Sequence, residues 1–162
     1  MLKGNASQYV KAWRIRNRRT EERFDRFCQQ EQLSEGHGID HLFHGSRTEN
    51  FWSIVTNGLL INPDCGVQRT GSMFGNGTYF APLVQKSLGY TDGGYWAGGN
   101  TDVRFFAIYR VATGKHHDIY QGCDTSHTKN VFQKKYPGAH CVWAHGRGTG
   151  GTTLFNLSLI HI

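Results

Sequence analysis

The alternation of apolar and polar residues predicts many short strands interrupted by short helices. The clearest strand pattern covers residues 105–111, where both faces are apolar enough for a central position in a sheet. Weaker patterns predict strands over 9–16, 41–44, 59–61, 119–120, 140–143 and 154–162. Short strands mixed with helices and glycine-rich turns are typical of an α+β fold.

Helices are predicted where apolar residues recur at helical spacing. Phe24, Phe27 and Cys28 follow an i, i+3, i+4 pattern, and Thr20 is the expected N-cap of their helix because acidic residues follow it. A second helix is expected to begin at residue 48 or 49 and to end at Asn57-Gly58. A third is expected over 83–88, after Pro82.

Length and composition indicate one globular domain over residues 1–162. The longest apolar run, 105–109, is far too short to span a membrane, and the first ten residues lack the apolar core of a secretory signal. Four scattered cysteines are too few for a disulfide scaffold. We therefore expect an intracellular protein with reduced thiols and no membrane partner.

A net charge of +6 favours polyanionic or nucleotide ligands. The lysines and arginines are dispersed and form no stripe among stacking aromatic residues, so nucleic-acid binding is not supported. Nucleophile-elbow and P-loop motifs are absent from the sequence. Gly146, Gly148 and Gly151 match Gly-x-Gly-x-x-Gly, but too few residues follow for a dinucleotide-binding fold.

Two Cys-x-x-x-His pairs raise the question of a zinc site. They are formed by Cys123, His127, Cys141 and His145. The Cys-His-Cys-His order is not that of a zinc finger, and such pairs arise easily in a chain with nine histidines. We expect no metal, with these residues serving as a buried thiol and a hydrogen-bonded loop histidine.

The most informative segment begins with His44-Gly45-Ser46-Arg47 and continues some thirty residues later with a glycine-punctuated run ending at Tyr79-Phe80-Ala81. Glycine permits close backbone approach to a flat ligand, and an aromatic ring opposite it can stack on that ligand. Tyr79 and Tyr90 around such a glycine edge would clamp a planar amide such as nicotinamide. Two core tyrosines beside a glycine turn explain the spacing equally well.

Four segments between His44 and Tyr90 resemble the catalytic domain of poly(ADP-ribose) polymerases, which are diphtheria-toxin-like ADP-ribosyltransferases. They read His-Gly-Ser-Arg-Thr-x-Asn-Phe, Gly-Leu-x-Ile, Gly-x-Met-Phe-Gly-x-Gly-x-Tyr-Phe-Ala and Lys-Ser-x-x-Tyr. The resemblance implies a core of two mixed or antiparallel sheets flanked by short helices. It also implies that residues 1–162 are shorter than the family's domain at both ends and lack its helical regulatory domain.

The resemblance further implies a binding site for NAD, used as a substrate. Gly45 would bind the nicotinamide carboxamide through its backbone, with Ser87 adding a side-chain hydrogen bond. Tyr90 would stack on the nicotinamide ring, Tyr79 would form a wall, and His44 would hold the adenosine ribose. The other residues implied in the site are Ser46, Asn50, Gly71, Phe80, Ala81 and Lys86, with the donor loop at 62–70.

The third member of the family's His-Tyr-Glu triad falls on Leu157, after Leu154-Phe155-Asn156. A leucine cannot stabilise the oxocarbenium-like transition state of nicotinamide release. Two explanations compete. In the first, Leu157 is native and the chain transfers single ADP-ribose units or is inactive. In the second, residues 157–162 are not the native continuation, and we favour this explanation because both ends of the chain are short of the fold.

The expected function is transfer of ADP-ribose from NAD to a protein or nucleic-acid acceptor, with release of nicotinamide. This protein itself is one candidate acceptor. The alternative is a catalytically inactive module that binds NAD or ADP-ribose, which Leu157 favours. An arginine-specific transferase would need a Glu-x-Glu pair, and the sequence has none.

Overall fold

A computed structural model describes residues 11–60, 74, 77–91, 104–120, 129–145 and 158–161. Its elements are α1 (Arg18–Gln30), β1 (Ser34–Glu35), β2 (Gly38–Gly45), α2 (Thr48–Asn57), β3 (Thr78–Phe80), α3 (Val84–Leu88), β4 (Phe106–Ala112), β5 (His116–Ile119), α4 (Lys129–Lys135), β6 (Cys141–Ala144) and β7 (Ser158–His161). This mixture confirms the α+β class. Within these ranges, none of the helices has the length and apolar character needed to cross a bilayer.

The strands form two sheets, as the predicted architecture requires. The first has the order β1-β2-β4, with β1 parallel and β4 antiparallel to β2. The second has the order β3-β7-β6-β5, antiparallel except for the parallel β5–β6 pair. Pairing is therefore mixed in both sheets.

One backbone bridge joins the two sheets beside the end of β2. The amide of Phe43 donates to the carbonyl oxygen of Ala81 at 2.8 Å, and the amide of Ala81 donates to that of Phe43 at 2.9 Å. Ala81 follows β3 directly. The bridge therefore brings the last residues of β2 next to β3.

Three apolar clusters hold these elements together. Between the sheets lie Leu42, Phe80, Val111 and Cys141. The opposite face of the second sheet packs Val142 and Ala144 against Phe74 and Phe132. The third cluster contains Cys28, Ile39 and Ala112, with Phe24 and Phe27 packed against it, which confirms the predicted apolar stripe of α1.

The N-cap of α1 differs from the prediction. Asn17 is the cap: its side-chain oxygen accepts from the Thr20 amide at 3.2 Å, and its Nδ2 donates to the carbonyl oxygen of Thr56 at 2.9 Å. Thr20 instead lies inside the first turn, where its hydroxyl donates to the Asn17 carbonyl oxygen. Asn and Thr are both favourable N-cap residues, and the additional hydrogen bond to Thr56 favours Asn17 as the N-cap.

Several strand predictions were wrong. Residues 11–17 form no strand; Trp13 and Ile15 remain 59% and 57% exposed, so the local alternation finds no sheet to join. Leu59 and Leu60 are not in a strand either. Among the described strands β4 lies at a sheet edge rather than in the centre, and Ile108 is 55% exposed. The apolar pattern of a strand does not show how many other strands will pair with it.

The end of the chain is partly as predicted. The strands predicted near 119 and 141 occur as β5 and β6, and β7 occurs within the predicted 154–162 segment. Residues 154–157 lie outside the described residues. Helix α4 was not predicted, although Phe132 on it is buried. The third helix, α3, begins at Val84, one residue later than expected.

Candidate active site

His44 lies near the end of β2, where its ring contacts β3. Its Nδ1 is 2.8 Å from the carbonyl oxygen of Tyr79. A carbonyl oxygen only accepts, so Nδ1 carries the hydrogen and Nε2 is the acceptor of the neutral ring. Burial lowers the pKa of His44, outweighing the Tyr79 hydrogen bond that raises it. The imidazole is therefore neutral at pH 7 and offers one oriented acceptor atom.

Tyr79 is held at both its backbone and its side chain. Its carbonyl accepts from His44, and its phenol oxygen accepts from the amide of Phe74 at 3.1 Å. Burial raises the pKa of the phenol, so it stays protonated. The ring also packs against the cluster that contains Phe132 and Val142. Tyr79 thus combines a core contact with a fixed position beside His44.

Gly45 lies directly against Ser87 of α3. A β-carbon at position 45 would overlap the carbonyl oxygen of Ser87 and would lie 3.1 Å from Cγ2 of Thr91. Ser87 is only 3% exposed. Glycine is therefore required here for close packing of β2 on α3, and the motif His44-Gly45 meets the motif Lys86-Ser87 in space.

Tyr90 follows α3 and presents its ring to solvent. Its amide donates to the carbonyl oxygen of Ser87 at 3.1 Å, which fixes it one turn beyond that residue. The side chain is 47% exposed, so it is not a core tyrosine. The Tyr90 phenol makes a minor contribution to the raised pKa of Tyr79, after burial. Tyr90 is thus exposed, whereas Tyr79 packs on an apolar cluster, and the clamp for a planar amide stays a prediction.

A second group of expected site residues surrounds the start of α2. Nδ2 of Asn50 donates to the hydroxyl oxygen of Ser46 at 2.9 Å, and its amide donates to the carbonyl oxygen of Arg47. On α3, Lys86 is half-buried, and burial lowers its pKa. Ser46 directly follows Gly45 in the chain, Asn50 lies on α2, and Lys86 precedes Ser87 on α3.

Phe80 and Ala81 are buried. The Phe80 ring lies 5.8 Å from the His44 ring and 5.7 Å from Tyr109, while His44 meets Tyr109 edge to face at 6.2 Å. Tyr109 on β4 was not among the residues expected from the sequence. Burial raises its pKa to about 12. Its only sequence signal was its place in an apolar strand, which does not reveal a contact with a histidine on the neighbouring strand.

Gly71, Leu157 and the donor loop at 62–70 lie outside the described residues, as do Cys123 and His127. Cys141 is buried, its thiol donates to the carbonyl oxygen of Thr113, and burial raises its pKa to about 12. His145 lies 2.7 Å from Asp118. In the described part of the chain, no three metal-ligating side chains converge.

Comparison with known proteins identifies the family of this chain. The profile of the poly(ADP-ribose) polymerase catalytic domain matches residues 3–155. A poly(ADP-ribose) polymerase-like protein of Invertebrate iridescent virus 6 is 38% identical over 81 residues, 50% of this chain and 40% of that protein. Poly(ADP-ribose) polymerase 1 of Arabidopsis thaliana is 40% identical over 107 residues, 65% of this chain and 10% of that protein.

A third relative carries a different activity in its name. Protein mono-ADP-ribosyltransferase PARP8 of Mus musculus is 41% identical over 54 residues, 33% of this chain and 6% of that protein. The matched part of the chain thus covers 40% or less of the length of each of these relatives. The chain belongs to the poly(ADP-ribose) polymerase catalytic domain family.

Proposed function

We propose that this chain is an NAD-dependent ADP-ribosyltransferase domain that moves ADP-ribose to a protein acceptor and releases nicotinamide. The observation that carries the proposal is the meeting of Gly45 with Ser87, beside the His44–Tyr79 hydrogen bond. Membership of the family supports the reaction class. Residues 1–162 would form one catalytic domain.

The nicotinamide ring would bind between Gly45 and Tyr90. The backbone of Gly45 offers an amide donor and a carbonyl acceptor, which together match a carboxamide. The Ser87 hydroxyl would add a third hydrogen bond. The exposed ring of Tyr90 would stack on the pyridine, and Tyr79 would close the opposite side.

The adenosine ribose would bind at His44. Because Nδ1 donates to the Tyr79 carbonyl, Nε2 of the neutral ring accepts, and a ribose hydroxyl is a suitable donor. The Ser46–Asn50 pair at the start of α2 would border the same sugar. Lys86, with a pKa lowered by burial, would line the cleft on the α3 side.

Cleavage of the nicotinamide–ribose bond passes through an oxocarbenium-like state. Nicotinamide is already a good leaving group, so orientation and hydrogen bonds to its amide supply much of the rate. The carboxylate that would stabilise the developing cation is absent at position 157, which is Leu. Acceptors would be proteins, including this chain itself.

Leu157 also supports a second candidate, an inactive module that binds NAD or ADP-ribose. Nucleic acid is a weaker partner. Arg19, Arg23 and Arg26 follow one exposed face of α1, but the aromatic residues of that helix, Phe24 and Phe27, pack on the core. The face therefore offers charge without the stacking rings of a single-strand binding site.

Incubation with NAD labelled in its adenosine half separates the two candidates. Label retained on protein in denaturing gels supports the transferase. Protection against thermal unfolding by NAD, with no label transferred and no nicotinamide released, supports the inactive module. A chain that shows neither transfer nor protection contradicts both.

A further inference from the structure

Three aromatic rings from three different strands meet beside the candidate active site. His44 lies on β2, Phe80 on β3 and Tyr109 on β4. The Phe80 ring centroid is 5.8 Å from that of His44 and 5.7 Å from that of Tyr109, and the His44 and Tyr109 centroids are 6.2 Å apart. Each ring therefore contacts the other two and restricts their rotation.

The register of β2 and β4 explains how Tyr109 reaches His44. Leu42 pairs with Tyr109 and His44 pairs with Ala107, so all four side chains lie on the same face of the first sheet. Tyr109 is therefore the diagonal neighbour of His44, which is within reach of an aromatic side chain. Ala107, directly opposite His44, contributes only a methyl group and so leaves room for the Tyr109 ring beside the imidazole.

The hydrogen bond to Tyr79 does not by itself fix the plane of the His44 imidazole. It holds Nδ1 2.8 Å from the carbonyl oxygen, but a hydrogen bond tolerates a range of angles, and rotation about the Cβ–Cγ bond of a histidine is weakly restricted. Tyr109 meets the imidazole edge to face, with an interplanar angle of 85°, and Phe80 meets it at 60°. These contacts set the plane of the ring and hence the direction of its acceptor atom, Nε2.

Tyr109 presents an uncharged ring to the imidazole. Its side chain is half-buried and packs against the cluster that contains Leu42 and Val111. Burial raises the pKa of Tyr109 to about 12, so the phenol is neutral at pH 7. Burial also lowers the pKa of His44, which keeps the imidazole neutral. The contact therefore acts through packing and ring geometry, not through charge.

We propose that Tyr109 is a positioning residue for ligand binding, whose ring holds the His44 imidazole with Nε2 directed at a hydroxyl of the adenosine ribose. This role rests on the proposed function, in which His44 binds that ribose. Tyr109 acts through His44 and not by touching the nucleotide. Loss of the Tyr109 ring therefore weakens binding of the adenosine half of NAD and leaves unchanged the nicotinamide half, which would bind at Gly45 and Ser87.

Two fragments of NAD separate this role from a general loss of structure. Tyr109→Leu removes the ring and should raise the Kd for ADP-ribose about 3–10-fold, as expected for the loss of one aromatic pair, while the Kd for nicotinamide stays within about twofold of the parental value. Tyr109→Phe keeps the ring and should bind both ligands like the parent. Calorimetric titration measures both constants.

Three outcomes of these titrations would overturn the proposal. The first is a parental affinity for ADP-ribose in Tyr109→Leu, and the second is an equal loss of affinity for both ligands. The third is a Tyr109→Phe protein as weak as Tyr109→Leu, since the hydroxyl and not the ring would then be responsible. If Tyr109→Leu does not fold, Tyr109→Met replaces it, because a flexible side chain fills the space without a rigid ring.

Tyr120→Leu is the matched control, because it makes the same change at another tyrosine–histidine contact. The Tyr120 ring stacks on that of His145 with centroids 4.4 Å apart, and it lies beyond the end of β5. Its loss should leave the affinities for ADP-ribose and nicotinamide unchanged. A loss of ADP-ribose affinity as large as that in Tyr109→Leu would contradict a specific role for Tyr109.

A double-mutant cycle shows whether Tyr109 acts through His44. In the His44→Gln background, Tyr109→Leu should change the Kd for ADP-ribose by less than about twofold, because the ring that Tyr109 positions is already gone. The same fold-loss in both backgrounds would show that Tyr109 acts independently of His44 and would overturn the proposal.

Failure of this inference is distinguishable from failure of the proposed function. A parent that binds ADP-ribose, with a Tyr109→Leu variant that binds it equally well, removes only the role of Tyr109. A parent that binds neither ADP-ribose nor nicotinamide removes the proposed NAD site and this role together.

Discussion

Gly45 packs against Ser87 so closely that the β-carbon of any other residue would overlap the Ser87 carbonyl oxygen. These two residues come from separate motifs, one at the end of β2 and one in α3. Their contact joins the proposed nicotinamide-binding backbone to the proposed nicotinamide-binding hydroxyl. The close approach of β2 to α3 therefore depends on the absence of a side chain at position 45.

Gly45→Ala is expected to destabilise the fold by about 1–3 kcal/mol, because the neighbour it strikes is backbone and cannot rotate away. It should also abolish nicotinamide binding. Urea denaturation measures the first effect and calorimetric titration the second. Gly89→Ala is the matched control: its β-carbon would be 3.3 Å from the Lys86 carbonyl oxygen, so the loss should be smaller. Equal losses in the two variants would contradict the close contact at Gly45.

Tyr90→Ala is expected to weaken nicotinamide binding by about 1–2 kcal/mol, since the stacking ring is lost, whereas Tyr90→Phe should bind nearly as well as the parent. Because Tyr90 is half-exposed, thermal stability should change little. Trp52→Ala, which removes a more exposed aromatic residue from α2, should leave affinity unchanged. An unaltered affinity for nicotinamide in Tyr90→Ala would show that Tyr90 does not take part in binding it.

Stability is expected to fall as pH is lowered below about 6.5, in part because of His44. Burial lowers the pKa of its imidazole in the folded protein, so the unfolded chain binds a proton that the folded chain resists. The neutral His44 ring contributes its full share of stability above the pKa that it has in the unfolded chain. That share is lost as the pH falls through the lower pKa that it has in the folded protein. Urea midpoints from pH 7.5 to 5 measure it, and the slope should be shallower in His44→Gln. Identical slopes in parent and variant would exclude His44 as a source.

Leu157→Glu is expected to raise ADP-ribose transfer, because it restores a carboxylate at the position where the family resemblance implies one. Leu157→Gln is the isosteric control without charge and should not raise transfer. Mass analysis of the modified protein would also reveal whether the charge allows chains longer than one unit. No gain in a folded variant that still binds NAD would count against the assignment of position 157.

Asn17→Ala is expected to cost about 1–2 kcal/mol of stability, because it removes both the cap of α1 and the bond to the Thr56 carbonyl. Thr20→Ala should cost less, since it removes only one hydroxyl that donates to the Asn17 carbonyl. Thermal unfolding of the two variants compares them directly. A larger loss of stability in Thr20→Ala than in Asn17→Ala would identify Thr20 as the N-cap of α1.

Local sequence determined the elements whose signals are local. The stripe of Phe24, Phe27 and Cys28 and the stop at Asn57-Gly58 were read correctly because helix periodicity and helix termination act within one or two turns. The motifs around His44 and Tyr90 likewise identified the family, because such motifs consist of residue types at fixed spacing, which the sequence shows directly.

Tertiary structure alone decided which of these residues touch. Whether β4 is central or at an edge, whether Asn17 or Thr20 caps α1, and whether Tyr109 meets His44 depend on neighbours distant in sequence. The Asp118–His145 pair is of the same kind, because it exists only where β5 and β6 lie side by side. Side-chain identity is local information, whereas strand pairing is settled by the packing of the whole chain, so only the fold could assign partners to these residues.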